Sequence, residues 1–245
     1  MKHFLPIAIL ALASAAHAAA PKPAIILVHG AFADASCWSK IIPILEHDGY
    51  SVTAVQIPLT SLADDIATTK RALASHKGPM VLVGHSYGGA VITGAAAGNP
   101  NVKALVYVAA FAPDANEPLA AAGKKFPAPP LNAALVPDSG GFLYIDRAKF
   151  RANFCQDLPA PEARVMAATQ KPLHNSAFDA TVPEAAWKTI PSWYIVSSND
   201  RAINPDLERF YAKRAGAKTT EIASSHVSFL SHPKEVAKVI ENAAK

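Results

Sequence analysis

Apolar runs alternate with amphipathic stretches along most of this chain. Ala24 to Val28 is followed by Trp38 to His47, Val52 to Ile57 by Leu62 to Ser75, and Met80 to Val83 by the small-residue stretch from Gly89 to Ala97. Short continuous apolar runs suit strands covered on both faces, whereas the longer stretches suit helices that bury one side. The alternation predicts an α/β fold with a mainly parallel sheet of about six strands and helices on both faces. The other strands are expected at Ala104 to Val108, Ser192 to Ser197 and Thr219 to Ile222. A last helix is expected after His232-Pro233, from Lys234 towards Ala243, because proline fits the first helical turn.

From Ala112 to Ile190 the alternation stops. This stretch is rich in proline and carries Phe126, Phe142, Tyr144, Phe150, Phe154, Phe178 and Trp187, with short helices expected over Arg147 to Phe154 and Pro161 to Thr169. An insertion between two sheet strands, on the side of the strand C-termini, covers the crevice where open α/β sheets bind ligands. It reads as a small helical cap, some of whose aromatics form a core of their own. No repeat or low-complexity linker interrupts the chain, so residues 21–245 read as one domain.

The first twenty residues have a different pattern. Lys2 and His3 precede the apolar core Phe4 to Ala16, and Ala16-His17-Ala18 has the small residues of a cleavage site, which together predict a secretory signal over 1–20 cut near Ala18. The expected location is periplasmic or secreted. The run falls short of the roughly 18 apolar residues of a span and no second span follows, so stable membrane insertion is not expected.

Charge narrows the partners. With 23 Lys and Arg against 19 Asp and Glu the formal net charge is only +4, and the basic residues are scattered, which argues against nucleic acid. Cys37 and Cys155 either pair in an oxidising compartment or sit as small buried hydrophobes, and neither has metal-ligand spacing. No metal or organic cofactor is expected, and the pattern leaves the oligomeric state open.

The chemistry concentrates at Gly84-His85-Ser86-Tyr87-Gly88, between the run Met80 to Val83 and the stretch from Gly89. A serine at so sharp a strand-to-helix turn exposes its hydroxyl, and the helix that starts there points its amides at the reacting centre. A serine needs a base, and the base needs an orienting acid. In this topology the acid precedes the histidine in the chain. Asp200 follows the run Trp193 to Val196 and His226 follows the last strand, which makes them the expected acid and base. Asp114, after Phe111-Ala112-Pro113, is the rival acid. His29 and His85 are expected to brace turns, His47 and His76 to lie on helices, and His174 lies in the cap, where it can touch substrate. A tetrahedral intermediate also needs amide donors. Tyr87 is expected to supply one, and Ala31, after His29-Gly30, the other, with Phe32 as the neighbouring possibility.

Val28-His29-Gly30-Ala31, Gly84-His85-Ser86-Tyr87-Gly88-Gly89, Ala109-Ala110-Phe111-Ala112-Pro113-Asp114, Asn199-Asp200-Arg201 and Ser225-His226 together resemble the α/β-hydrolase superfamily. More narrowly they are similar to its small bacterial esterase-like branch, related to plant methylesterases and hydroxynitrile lyases. The resemblance covers nearly the whole chain beyond the signal. It implies Ser86 as nucleophile, His226 as base, Asp200 as acid, and Ala31 and Tyr87 as oxyanion donors. The lyases of that branch resemble one another in a bulkier residue at the position of Gly30 and a lysine beside the catalytic histidine. Here Gly30 stands, and Val227-Ser228-Phe229-Leu230 contains no lysine, which favours hydrolysis. The leading expectation is a serine hydrolase of small to medium uncharged esters. A carbon–carbon lyase using the same three residues and a non-catalytic small-molecule binder are the alternatives.

Overall fold

The structure, a computed structural model, describes residues 22–245; the expected signal and its cleavage point fall outside the described residues. In chain order the strands are β1 (Ala24–Val28), β2 (Val52–Val55), β3 (Met80–His85), β4 (Val102–Val108), β5 (Leu135–Pro137), β6 (Phe142–Ile145), β7 (Leu173–His174), β8 (Ser192–Ser197) and β9 (Lys218–Ile222). The α-helices are α1 (Ile42–His47), α2 (Leu62–Ala74), α3 (Tyr87–Ala95), α4 (Phe150–Phe154), α5 (Ala160–Thr169), α6 (Pro205–Arg214), α7 (Ser228–Ser231) and α8 (Pro233–Ala243).

Six strands form one sheet in the order β2-β1-β3-β4-β8-β9, every neighbouring pair parallel. Because all six run the same way, the segments after β3, β8 and β9 leave from one edge, and these segments carry Ser86, Asp200 and His226. The central strands explain the continuous apolar runs. Ile25, Ile26, Leu27 and Val28 have no exposure, and neither do Val81, Leu82 and Val83. Full burial of an aliphatic side chain is worth about 1.5–3 kcal/mol, so each of these residues contributes substantially to the sheet's hydrophobic stabilisation.

Three expectations need adjusting. The stretch Trp38 to His47 is not one helix but a 3₁₀ segment over Ala35–Lys40 followed by α1. Pro43 has no amide proton and is tolerated only in a first turn, so the α-helix starts afresh there. β2 ends at Val55 rather than Ile57, because the Ile57 amide donates to His29 Nε2 (3.2 Å) and its carbonyl accepts from Lys171 Nζ (2.5 Å). The cap is not helical alone. Alongside α4 and α5 it holds an antiparallel sheet in the order β5-β6-β7. Asp138 Oδ1 folds its tight turn by accepting from the Gly140 (2.8 Å) and Phe142 (2.9 Å) amides.

Both cysteines are free thiols. Burial pushes the Cys155 thiol up to about 12, which keeps it in the unreactive protonated form. Among the described residues no helix is long and apolar enough to cross a membrane.

Candidate active site

Ser86 sits between β3 and α3 with φ 53° and ψ −123°, a backbone that side chains rarely adopt. Such a residue costs on the order of 1–3 kcal/mol and persists only where its neighbours dictate it. Here three backbone hydrogen bonds do so. The Ser86 amide donates to Val108 O (3.1 Å), and its carbonyl accepts from Gly89 (3.0 Å) and Phe111 (3.1 Å). The adjoining glycines are demanded by close approach. A Cβ on Gly88 would lie 2.6 Å from Val28 O and His29 O, and one on Gly30 would lie 2.7 Å from Ser86 Cβ. The strand end carrying His29-Gly30-Ala31 is therefore pressed directly against the serine turn.

His226 and Asp200 are brought together from the loops after β9 and β8. His226 Nδ1 lies 2.5 Å from Asp200 Oδ2, and both side chains are buried. Asp200 Oδ1 accepts in addition from the amides of Ala202 (2.6 Å) and Ile203 (2.9 Å), so the carboxylate cannot rotate away. With its Nδ1 proton engaged there, His226 keeps Nε2 as an acceptor. Asp114 lies elsewhere: it pairs with Lys188, accepts from the Ala115 amide (2.6 Å), and is held below the ordinary carboxylate range chiefly by Lys188. Of the two candidate acids, Asp200 alone meets the imidazole.

Two further histidines stand at the turns around this site. His85 Nε2 donates to His226 O (2.9 Å), and its ring lies 4.6 Å from the His226 ring and 4.7 Å from Phe229. Burial holds His85 well below its ordinary value, hence neutral. His29 donates from Nδ1 to Gly30 O (2.8 Å) and accepts at Nε2 from Ile57, and burial pulls it down to about 4. Both brace turns, as the sequence suggested. His76 lies beyond the end of α2 and bonds Thr53 Oγ1, a correction to its expected helix. His174 is also corrected: it pairs with Ser176 Oγ and packs on Phe142, away from the cavity.

Ser86 and His226 open onto one cavity of about 530 Å³. Ala31, Phe32 and Tyr87 line it on the sheet side, and among the described residues neither the Ala31 nor the Tyr87 amide donates to a loop carbonyl or a side chain. The cap supplies Leu119, Phe126, Leu131, Phe154 and Phe178. Of the cap aromatics, Phe142, Tyr144, Phe150 and Trp187 do not line it. Phe150 has no exposure and packs 5.1 Å from Phe154, while Trp187 Nε1 donates to Pro113 O (2.9 Å).

A model of the alpha/beta hydrolase family matches residues 25–239. The chain belongs to that family. This alpha/beta hydrolase is 30% identical to Methylesterase 7 of Arabidopsis thaliana over 86% of the chain and 92% of the relative. It is 29% identical to the alpha/beta hydrolase nvfD of Aspergillus novofumigatus over 91% and 97% respectively. Among solved structures it overlays on a pyrethroid hydrolase from Sphingobium faniae with a TM-score of 0.77 at 24% identity, covering 91% of this chain and 97% of that one. That likeness speaks for the fold.

Three polar residues of this alpha/beta hydrolase that sequence reasoning missed hold the site together. Asp65 on α2 has no exposure and accepts from the Tyr87 hydroxyl (2.7 Å) and the Leu59 amide (2.7 Å). Burial raises Asp65 against the pull of those two donors. Its signal was available: buried Leu62, Asp65, Thr69 and Leu73 share one helical stripe, so Asp65 is a carboxylate on an apolar face. Asp157 and Gln156, between α4 and α5, tie the cap to the loops after β8 and β9. Asp157 accepts from the Ser225 amide (2.8 Å) and hydroxyl (2.5 Å), and Gln156 Nε2 donates to Asn199 O (2.7 Å).

Proposed function

We propose that this alpha/beta hydrolase cleaves small to medium uncharged carboxylic esters through an acyl-enzyme. Ser86 Oγ attacks the ester carbonyl while His226 Nε2 takes its proton, and Asp200 holds the imidazole and stabilises the imidazolium. The developing oxyanion is received by the Ala31 amide, just beyond β1, and by the Tyr87 amide at the start of α3, where the helix end adds partial positive charge. His226 then returns the proton to the leaving alcohol, and water repeats the sequence to release the acid.

The observation that carries this reading is the shared cavity. Ser86 and His226 face the same apolar space, and His226 is pinned from behind by a buried carboxylate at 2.5 Å. The predominantly apolar lining supports an uncharged substrate, and the relative named Methylesterase 7 supports an ester. The cap, which provides most of the cavity wall, is the specificity element in this proposal.

The test is hydrolysis of p-nitrophenyl esters of graded acyl length, with Ser86→Ala as control and a fluorophosphonate as covalent probe. Turnover should fall by roughly 10³ to 10⁶ in the variant, and the probe should label the parent only. Full activity of Ser86→Ala would sink the proposal.

A further inference from the structure

Behind Asp200 lies a second carboxyl group that the reaction as written does not use. Glu208, in the first turn of α6, has no exposure. Its Oε2 accepts from the Ser197 amide at the end of β8 (3.0 Å). Oε1 is buried without a donor, and Asp200 is its neighbour across Ser197, whose carbonyl accepts from the Asp200 amide (3.0 Å). Two buried carboxylates sharing one site do not readily both ionise.

The donor count decides which keeps the charge. Asp200 receives three donors, from Ala202, Ile203 and His226, whereas Glu208 receives one. The anion is therefore better satisfied on Asp200. A proton on Glu208 Oε1 turns the orphaned oxygen into a donor and removes the unsatisfied group. We infer that Glu208 is a neutral carboxylic acid that donates to Asp200, and is thereby a positioning residue for the Asp200–His226 pair. The inference rests on the proposed role of that pair.

The surroundings agree. Burial, and then the charge of Asp200, hold Glu208 well above the ordinary carboxylate range. Arg209 opposes this weakly because its guanidinium is engaged outside, with Asp206 and Glu221. Tyr194 on β8, influenced by Glu208, Asp200 and Tyr211, is a buried neutral phenol. On the far side of His226 stand neutral His85 and the apolar ring of Phe154. Among the described residues no lysine or arginine bonds either carboxyl group, and Arg209 acts only from a distance. A donor on Asp200 fixes its rotamer and draws off part of its charge, so the imidazolium is stabilised less than by a bare carboxylate.

Three measurements on the whole protein test this. The infrared spectrum at neutral pH should contain the carbonyl band of a protonated carboxyl group, absent from Glu208→Gln; no such band in the parent overturns the inference. The protonation midpoint of His226, followed by NMR of its imidazole and by the acid limb of ester hydrolysis, should move by less than about 0.3 pH unit in Glu208→Gln, whose amide still donates to Asp200 and accepts from Ser197. An ionised Glu208 would instead make that variant lower the midpoint by about one unit, and this also overturns it. Glu208→Leu, which removes the donor, should raise the midpoint by roughly half a unit or more. Should Glu208→Leu fail to fold, the infrared band and Glu208→Gln still decide. Neither the band nor the NMR midpoint needs turnover, so a protein that hydrolyses no ester yet shows both sinks the esterase reading and leaves this one standing.

Discussion

The Tyr87 hydroxyl donates to Asp65 Oδ2 at 2.7 Å, anchoring the residue that follows Ser86 to a carboxylate with no exposure. Removing that hydroxyl leaves Asp65 with the Leu59 amide as its remaining donor, so Tyr87→Phe should lose about 1–3 kcal/mol of stability. Burial already holds Asp65 above its ordinary value, and loss of a donor raises it further. A carboxyl raised in the folded state stabilises most below its unfolded value and loses that contribution as pH rises, so the deficit should be small near pH 4 and grow towards pH 7. Urea midpoints of parent and variant at both ends check this; an equal deficit throughout would remove the carboxylate from the explanation.

Strain at Ser86 gives a second prediction. Its φ of 53° suits glycine better than any residue with a Cβ, so Ser86→Gly should be as inactive as Ser86→Ala yet melt higher, by about 1 kcal/mol of stability. Equal melting temperatures would mean that the turn is not strained.

The acid assignment separates cleanly. Asp200→Asn preserves shape but presents the wrong partner to His226 Nδ1, and kcat should fall by as much as about 10⁴. Asp114→Asn, which disturbs only the contacts to Lys188 and Ala115, should change kcat by no more than a few-fold. Saturation kinetics on both folded variants give the ranking, and its reversal moves the acid to Asp114.

Acid should loosen the fold through its bracing histidines. Burial lowers His29 to about 4 and His85 well below its ordinary value, whereas an unfolded histidine takes its proton near 6.5. The unfolded chain thus binds protons that the native one refuses; stability is full above the unfolded value and declines as pH falls from about 6.5 towards 4, by up to about 3 kcal/mol for His29. Denaturation midpoints across that window should slope accordingly, and His29→Asn should flatten the slope by about one proton. A flat parent curve contradicts the mechanism.

Selectivity should follow the cavity wall. Phe126, Phe154 and Phe178 line it, so alanine there should change which acyl chain is preferred, each by about 1–3 kcal/mol per methylene recognised. Alanine at Phe142 or Trp187 should leave the profile in place. A profile indifferent to all five would remove the cap from recognition.

What the sequence disclosed follows from the range of the forces involved. The four inner strands, β1, β3, β4 and β8, were the most legible because covering both faces of a parallel sheet imposes unbroken apolar runs such as Ile25 to Val28. Ser86 was legible because a sharp strand-to-helix turn constrains its immediate neighbours, Gly84 and Gly88. The cap sheet was not: strands of two to four residues are too short to establish a period, and β5 ends in Pro137. Asp157 carries no local mark, since it is an exposed loop residue whose partner, Ser225, stands 68 positions away. Asp65 is the intermediate case, a charge on an apolar stripe that was visible and passed over.

The ties from Gln156 and Asp157 to Asn199 and Ser225 bear on how this protein can change. A lid held only by its ends could be exchanged for another without disturbing the chemistry beneath it. Here one stretch of the covering segment also grips the two loops that carry Asp200 and His226, so that stretch belongs with those two residues rather than with the pocket. New substrate ranges are reached most directly by altering the far wall, around Phe126 and Leu131, where the cap meets the cavity. A transplanted cap that lacks a counterpart of Asp157 would arrive with an altered wall and two unmoored loops at once.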